Sequence, residues 1–284
     1  MALDYLEELD LTSTGDDVDD GFLKVKNNFA DLDVLFNLFD GFVQRSTFRH
    51  KDDDEIYIGP GGYHHSGTSE QYLYWNTELT FQVGSGGTNS DSEDLGNNEW
   101  HYIYIDDSAV VTSGAQLLTN TEFVNNTTAP SWSADKHGWY NSNDRCIFAF
   151  FTDGTADILA FYHDNDFVLF DESIEIVAEA TAVPTSFTNI TPFKIPSFCR
   201  KVQATFISTW VSSGTHLFYR VDGSSATNGH RVGIVSDAPS GPTSLYATVI
   251  ADVVCDSDGE IEVKGTGTNK YGVYQNGWYL TKGI

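Results

Sequence analysis

The 284-residue chain is poor in sulfur, proline and positive charge, and each shortage closes off a class of protein. Its three cysteines, Cys146, Cys199 and Cys255, are far apart and share no metal-ligand spacing. They read as small buried hydrophobes of a chain folded in a reducing cytosol, not as a disulfide framework. There is one methionine and no apolar run of about 18 residues, so no transmembrane helix is expected. The start, with Asp4, Glu7 and Glu8, lacks the basic and then apolar pattern of an export signal. Lys and Arg total 15 against 41 Asp and Glu, a formal net charge of −26. Such a chain repels nucleic-acid phosphates and anionic bilayers, so neither nucleic-acid binding nor membrane insertion is expected. No GxGxxG, Walker loop, CxxC pair or GxSxG elbow occurs, and no cofactor is expected.

What is abundant is aromatic and turn-forming. Phe, Tyr and Trp make up 14% of the chain, and there are 25 glycines. Aromatic runs joined by Gly, Asn and Asp predict a mainly β protein. The exception lies near the start. Val18, Phe22, Val25, Phe29, Leu32, Phe36 and Phe39 are spaced four, three, four, three, four, three, the repeat of a coiled-coil seam. Thr14 with Asp17, the acidic first turns and Gly41 fit the ends of a helix over 16–41. Against it, Gly21 costs about 1 kcal/mol relative to alanine. Phenylalanines at one core position need a wide core, which favours three strands. An amphipathic helix docked on its own domain has nearly the same spacing.

Four regions follow: a lead-in and association helix at 1–44, a middle β module at 45–180, a linker at 181–196 and a C-terminal β-sandwich at 197–284. Residues 42–50 read as a connector. Trp100–Ile105 alternates cleanly as a strand. Asp153-Gly154 predicts a hairpin between Arg145–Phe151 and Ile158–Tyr162, and Asp164-Asn165 another. Residues 84–98 form a polar loop, a surface excursion or a binding loop. The linker holds Pro184, Pro192 and Pro196 among Thr, Ser and Asn. Beyond it, seven short strands separated by turns, among them Asn228-Gly229 and Asn276-Gly277, predict a jelly roll or sandwich.

Candidate chemistry is thin. Asp106-Asp107 and Asp164/Asp166 are the pairs a glycosidase could use. Adjacent strand residues point to opposite faces, and turns favour Asp for backbone reasons, so no catalytic residue is expected. His64-His65 lacks the spacing that converges on an ion and reads as exposed polar residues of a Gly-rich loop. Asp52-Asp53-Asp54-Glu55 reads as a solvated acidic turn, so no metal site is expected. Trp132, Trp139 and Tyr140 lie in a loop-rich stretch with Asn125, Asn126, Asn141 and Asn143. Aromatic faces beside amides suit a glycan or protein partner, while the same rings also suit a core or a subunit interface.

The stretch "GDDVDDGFLKVKNNFADLDVLF" (15–36) resembles an N-terminal segment of tailed-bacteriophage virion proteins that precedes fibre or appendage modules. "NEWHYIYIDDSAV" (98–110), "TEFVNNTTAPSW" (121–132) and "GWYNSNDRCIFAFFTDGTADILAFYHD" (138–164) resemble modules of phage fibre and other virion proteins. "YGVYQNGWYLTKGI" (271–284) is similar to the ends of such chains. The resemblance implies a homotrimeric, non-enzymatic virion protein, made in the host cytoplasm and in contact with other virion proteins. A fibre-like appendage for host attachment, touching a surface glycan, is the first expectation. A capsid decoration or head-fibre protein is the alternative, and a polysaccharide depolymerase a more distant one.

Overall fold

The computed structural model describes residues 42–210, 216–234, 245–266 and 270–284. The heptad seam from Val18 to Phe39 and its expected helix lie outside the described residues.

The chain enters through β1 (Phe42–Gln44), β2 (Phe48–Asp52) and β3 (Glu55–Ile58). A hairpin of β4 (Gly61–Ser66) and β5 (Glu70–Trp75) and the short β6 (Leu79–Gln82) follow. Strand β7 (Trp100–Ile105) runs into helix α1 (Asp107–Ser113), a 3-10 turn (Asn120–Glu122) and β8 (Phe123–Asn126). Then come β9 (Ser131–Ser133), β10 (Gly138–Asn141), β11 (Asp144–Phe151), β12 (Phe161–Asp164) and β13 (Phe167–Ala182). The remainder comprises β14 (Thr188–Asn189), β15 (Lys201–Trp210), β16 (His216–Val221) and β17 (His230–Ile234). Strands β18 (Leu245–Val254), β19 (Ile261–Gly265) and β20 (Lys270–Tyr279) complete it. The ladders between these strands are antiparallel, and the fold is mainly β.

An eight-stranded sheet of order β18-β15-β20-β13-β12-β2-β3-β6 forms a spine. A five-stranded sheet, β8-β7-β11-β10-β9, covers one half of it, and a four-stranded sheet, β14-β19-β16-β17, the other. Phe48 of the spine stacks on Phe148 of the five-stranded sheet at 4.1 Å between ring centroids. Phe206 of the spine stacks on Tyr219 of the four-stranded sheet at 5.9 Å. Trp278 on β20 meets Trp100 at 5.6 Å and lies opposite Val202 in the ladder. Trp278, Val202, Ala204 and Phe206 therefore share one face, and both covering sheets pack on it. The three-stranded sheet β1-β4-β5 closes the end, with Trp75 edge-on to Phe123 at 5.0 Å.

Several local expectations change. Residues 42–50 are not a connector: β1 pairs with β4, and Phe48 is fully buried. Asn276-Gly277 makes no turn. Gln203 pairs with Gly277 and Ala204 with Gln275, so Asn276 is the extra residue of a bulge inside one long strand. Its side chain is held by Thr205 at 2.9 Å and Ser173 at 2.9 Å. Asp153-Gly154 closes only an isolated Thr152–Ile158 bridge, after which the chain changes sheets. The ladder also runs across the expected boundary. Strand β13 pairs with β20, and Ile190, Phe193 and Phe198 from in and beside 181–196 join the core.

Candidate functional site

Among the described residues the densest polar constellation surrounds the start of α1. Strand β7 ends at Ile105, and Asp106 caps the helix, accepting from Ser108 N at 2.9 Å and Ala109 N at 3.3 Å. Gly114, at φ 62°, ends the helix in a left-handed cap. The sequence reading found no helix here, although Asp106 and Gly114 are its capping signals. Asp107 turns the other way. Its carboxylate accepts from Thr68 N at 2.8 Å and Thr68 Oγ1 at 2.5 Å, and lies 3.0 Å from His65 Nε2. Its own N–H donates to Asp144 Oδ1 at 2.9 Å. The two neighbouring carboxylates take different partners because one caps a helix and the other holds Thr68 and His65, although both border the cavity beside Asp144.

The polar loop 84–98 docks beside this helix. Asn89 Nδ2 donates to Asp106 Oδ2 at 3.0 Å, and the loop is pinned by Asn125, which receives Gly84 N and donates to the Glu93 carbonyl. A cavity of about 260 Å³ remains, walled by Asp91, Asp106, Asp107, Asp144, Asn126 and Asn143 among others. Burial pushes the Asp144 carboxyl up, and the neighbouring Asp106 and Asp107 add to the shift. Burial also pushes Asp107 up, but the Thr68 hydrogen bonds and His65 outweigh it and hold the carboxyl below its usual range. Burial lowers His65 more than Asp107 raises it. The pair is a neutral imidazole donating to a carboxylate.

His64 and His65 are not in an exposed loop. They sit on β4, 5% and 0% exposed, because β5 pairs with β4 through Tyr72 and Gln71 while Asp107 closes over the strand end. Beside them Arg145 is fully buried and donates to the His64 carbonyl at 3.0 Å, Tyr140 Oη at 3.3 Å and the Gly283 carbonyl at 3.1 Å. Sequence reasoning did not single out Arg145, since nothing in its local sequence marks it as internal. The constellation can hold strands in register and fix one histidine tautomer. A hydrolytic dyad needs a solvent-reachable imidazole, and His65 does not provide one.

The aromatic candidates separate. Trp132 and Trp139 face each other as cross-strand partners on β9 and β10, where a loop was expected, with centroids 5.9 Å apart. Trp132 is 41% exposed. Trp139 leans on Phe198 and donates its indole N–H to the Lys282 carbonyl at 2.9 Å. Tyr140 is buried, its hydroxyl accepting from Ser66 N at 3.0 Å. Of the three, Trp132 offers a ring to a ligand. Its indole also lies against Gly283, at φ 85°, where any Cβ would strike it.

Residues 280–284 are clasped by these groups. Arg45 Nε donates to the Ile284 carbonyl at 2.8 Å and its guanidinium pairs with Asp166, while Leu280 N donates to the Asp166 carbonyl at 2.7 Å. A cavity of about 600 Å³ lies here, between Phe42, Arg45, His163, Asp166 and Lys282. Asp164 is the last residue of β12 and Asp166 sits in the turn that follows, where it is one anchor of the clasp.

Among the described residues two acidic groups bring three carboxylates within 4.8 Å of one another, Asp52 with Asp54 and Glu55, and Asp222 with Asp256 and Glu260. Asp256 already accepts from Asp258 N and Glu260 N, the bonding of an ordinary Asx turn. No helix of the described residues is long and apolar enough to cross a membrane. No protein-family model and no curated protein matches the chain.

Proposed function

We propose that this chain is a structural and attachment protein of a tailed-bacteriophage particle. Its N-terminal seam gathers three copies into a fibre-like appendage, and the β body is carried outward. In this reading residues 197–284, with β15, β18 and β20 of the spine and β16, β17 and β19 of the four-stranded sheet, form the jelly-roll-like C-terminal sandwich, and residues 16–41 the coiled coil. The observation that carries the proposal is the use made of the most site-like residues. Asp107, His65, Thr68, Tyr140 and Arg145 tie strands to one another, whereas Trp132, on the β9–β10 hairpin, turns a ring outward. That arrangement suits binding by a scaffold. The phage-like pattern at 15–36 adds the trimer and the particle.

Two measurements test it. Light scattering of the full chain is expected to give a multiple of three subunits, and Phe29→Asp with Phe36→Asp is expected to lower that number. An unchanged mass in that variant removes the seam from assembly. Labelling the protein on intact particles is expected to mark the appendage; label over the whole head would instead make it a decoration protein. The same residues support attachment through Trp132. Trp132→Ala is expected to lower binding to host surface glycan at least tenfold, with no change in subunit number.

A further inference from the structure

Among the described residues one long edge strand, β18, pairs with a neighbour on one side only. We infer that β18 is a pairing edge for a second copy of this chain, forming a two-fold, antiparallel β18–β18 contact that carries the spine from one subunit into the next.

An unpaired edge strand is a template for another strand, and proteins guard such edges with shortness, charge, proline, bulges or covering loops. The other described edges are guarded. At the far end of the spine, β6 has four residues, and Thr88 folds back on it, donating to the Gln82 carbonyl at 3.0 Å. Beside β5, Tyr74 N donates to the Gln116 carbonyl and Leu118 N to the Tyr74 carbonyl. Beside β8, Glu93 N donates to the Asn125 carbonyl. Strands β1, β9 and β14 have three, three and two residues, and β17 has five.

Strand β18 differs in length, register and sequence, although β17 of the four-stranded sheet lies beside it. It has ten residues, and all of them pair with β15 without a register shift. Its sequence, LYATVIADVV, contains no Pro, Gly, Lys or Arg. Cys255 N donates to the Arg200 carbonyl at 3.1 Å, which sets the phase of the ladder. Bonded pairs alternate in antiparallel sheets, so Thr248, Ile250, Asp252 and Val254 turn their N–H and C=O groups away from β15. The bond seen on that side among the described residues is Tyr219 Oη to the Asp252 carbonyl, at 3.4 Å. Ile250 is 64% and Val254 51% exposed, high for residues of a ten-residue ladder.

The partner follows from the same inventory. Among the described edges of a second copy the long one is its own β18, so the contact is isologous and closes after two subunits. Charge permits it. The edge carries a single ionised side chain, Asp252, which Lys201 pairs at 2.8 Å, so the strand is locally neutral in a chain of net charge −26. Setting Ile250 opposite Ile250 of the partner subunit puts Thr248 opposite Asp252, and no like charges meet. Repulsion between the acidic bodies is screened beyond about 8 Å at physiological ionic strength, so the contact strengthens with added salt.

The contact does not depend on the N-terminal seam, and one experiment separates the two. Subunit number is measured by light scattering on the full chain, on Ile250→Lys and on Ile250→Pro, at low and physiological salt. Lysine guards the edge at an exposed position, and proline removes an outward N–H while leaving the β15 ladder intact. Wild type is expected to have twice the mass of either variant, with a larger difference at higher salt. Equal masses for wild type and Ile250→Lys overturn the inference. The variant's own mass reports on the seam: three chains support the trimer, and one chain removes it while leaving the β18 contact standing.

Discussion

His163 shows how a single side chain joins two halves of a sheet. Between β2 and β12 the ladder has one register pair, Arg49 with Tyr162, and the imidazole supplies what the backbone does not. Its Nδ1 accepts from Phe48 N at 3.0 Å, and its Nε2 donates to the Asn165 carbonyl at 2.7 Å. Burial pushes its pKa down to about 4, with Arg45 adding to the shift and the Asn165 carbonyl, Asp164 and Asp166 opposing it. The unfolded chain, with a histidine pKa of about 6.5, takes up the proton first as pH falls. Stability from this group is therefore complete above about pH 6.5 and is lost as pH falls from there towards 4. The loss approaches on the order of 3 kcal/mol. Denaturant titrations at several pH values are expected to show a shallower pH slope for His163→Gln than for wild type. His65 and His101, also lowered by burial, leave a residual slope of the same sign. Arg145 is the second decisive residue. Arg145→Met strands the carbonyls of His64 and Gly283, and the variant is expected to lose about 3 kcal/mol in the same titration.

At the scale of elements, caps and bulges decide where strands stop. Asp106→Ala is expected to cost about 1 kcal/mol, the usual value of a lost helix cap. Asp106→Asn, which keeps the acceptor, is expected to cost less. The α1 cap was legible in sequence as Asp106 followed by Gly114 and was missed because the helix between them is short. The β9–β10 hairpin was less legible, since Pro130, Asn and Ser residues look like loop until Trp132 and Trp139 meet across it. Neither the clasp of residues 280–284 nor the burial of His64 and His65 has a local signal. Both arise from groups more than 40 residues away, Asp107 and Arg145 on one side, Arg45 and Trp139 on the other.

For the whole molecule the spine is the organising element, because each half of the core uses it as a wall. Substitutions in the two halves are expected to act on a single transition. In scanning calorimetry, Phe148→Ala and Phe206→Ala are each expected to lower one shared unfolding peak, with losses of about 3–5 kcal/mol. Two peaks, each sensitive to one substitution, would restore the expected pair of independent modules.

The mainly β class follows from the sequence alone. Alternation at Trp100–Ile105 and the Asp164-Asn165 turn reflect local backbone geometry, which short windows of residues dictate. Sequence also set the acidity and the absence of recognisable motifs. Which strands share a sheet was decided only by tertiary structure. The hydrophobic faces of β13, β15 and β20 satisfy the period-two pattern in any antiparallel arrangement. Long-range burial of Trp278, Phe148 and Phe206 selects one of them. The same selection turned Asn276-Gly277 into a bulge, put His65 against Asp107, and placed β18 at the end of the spine.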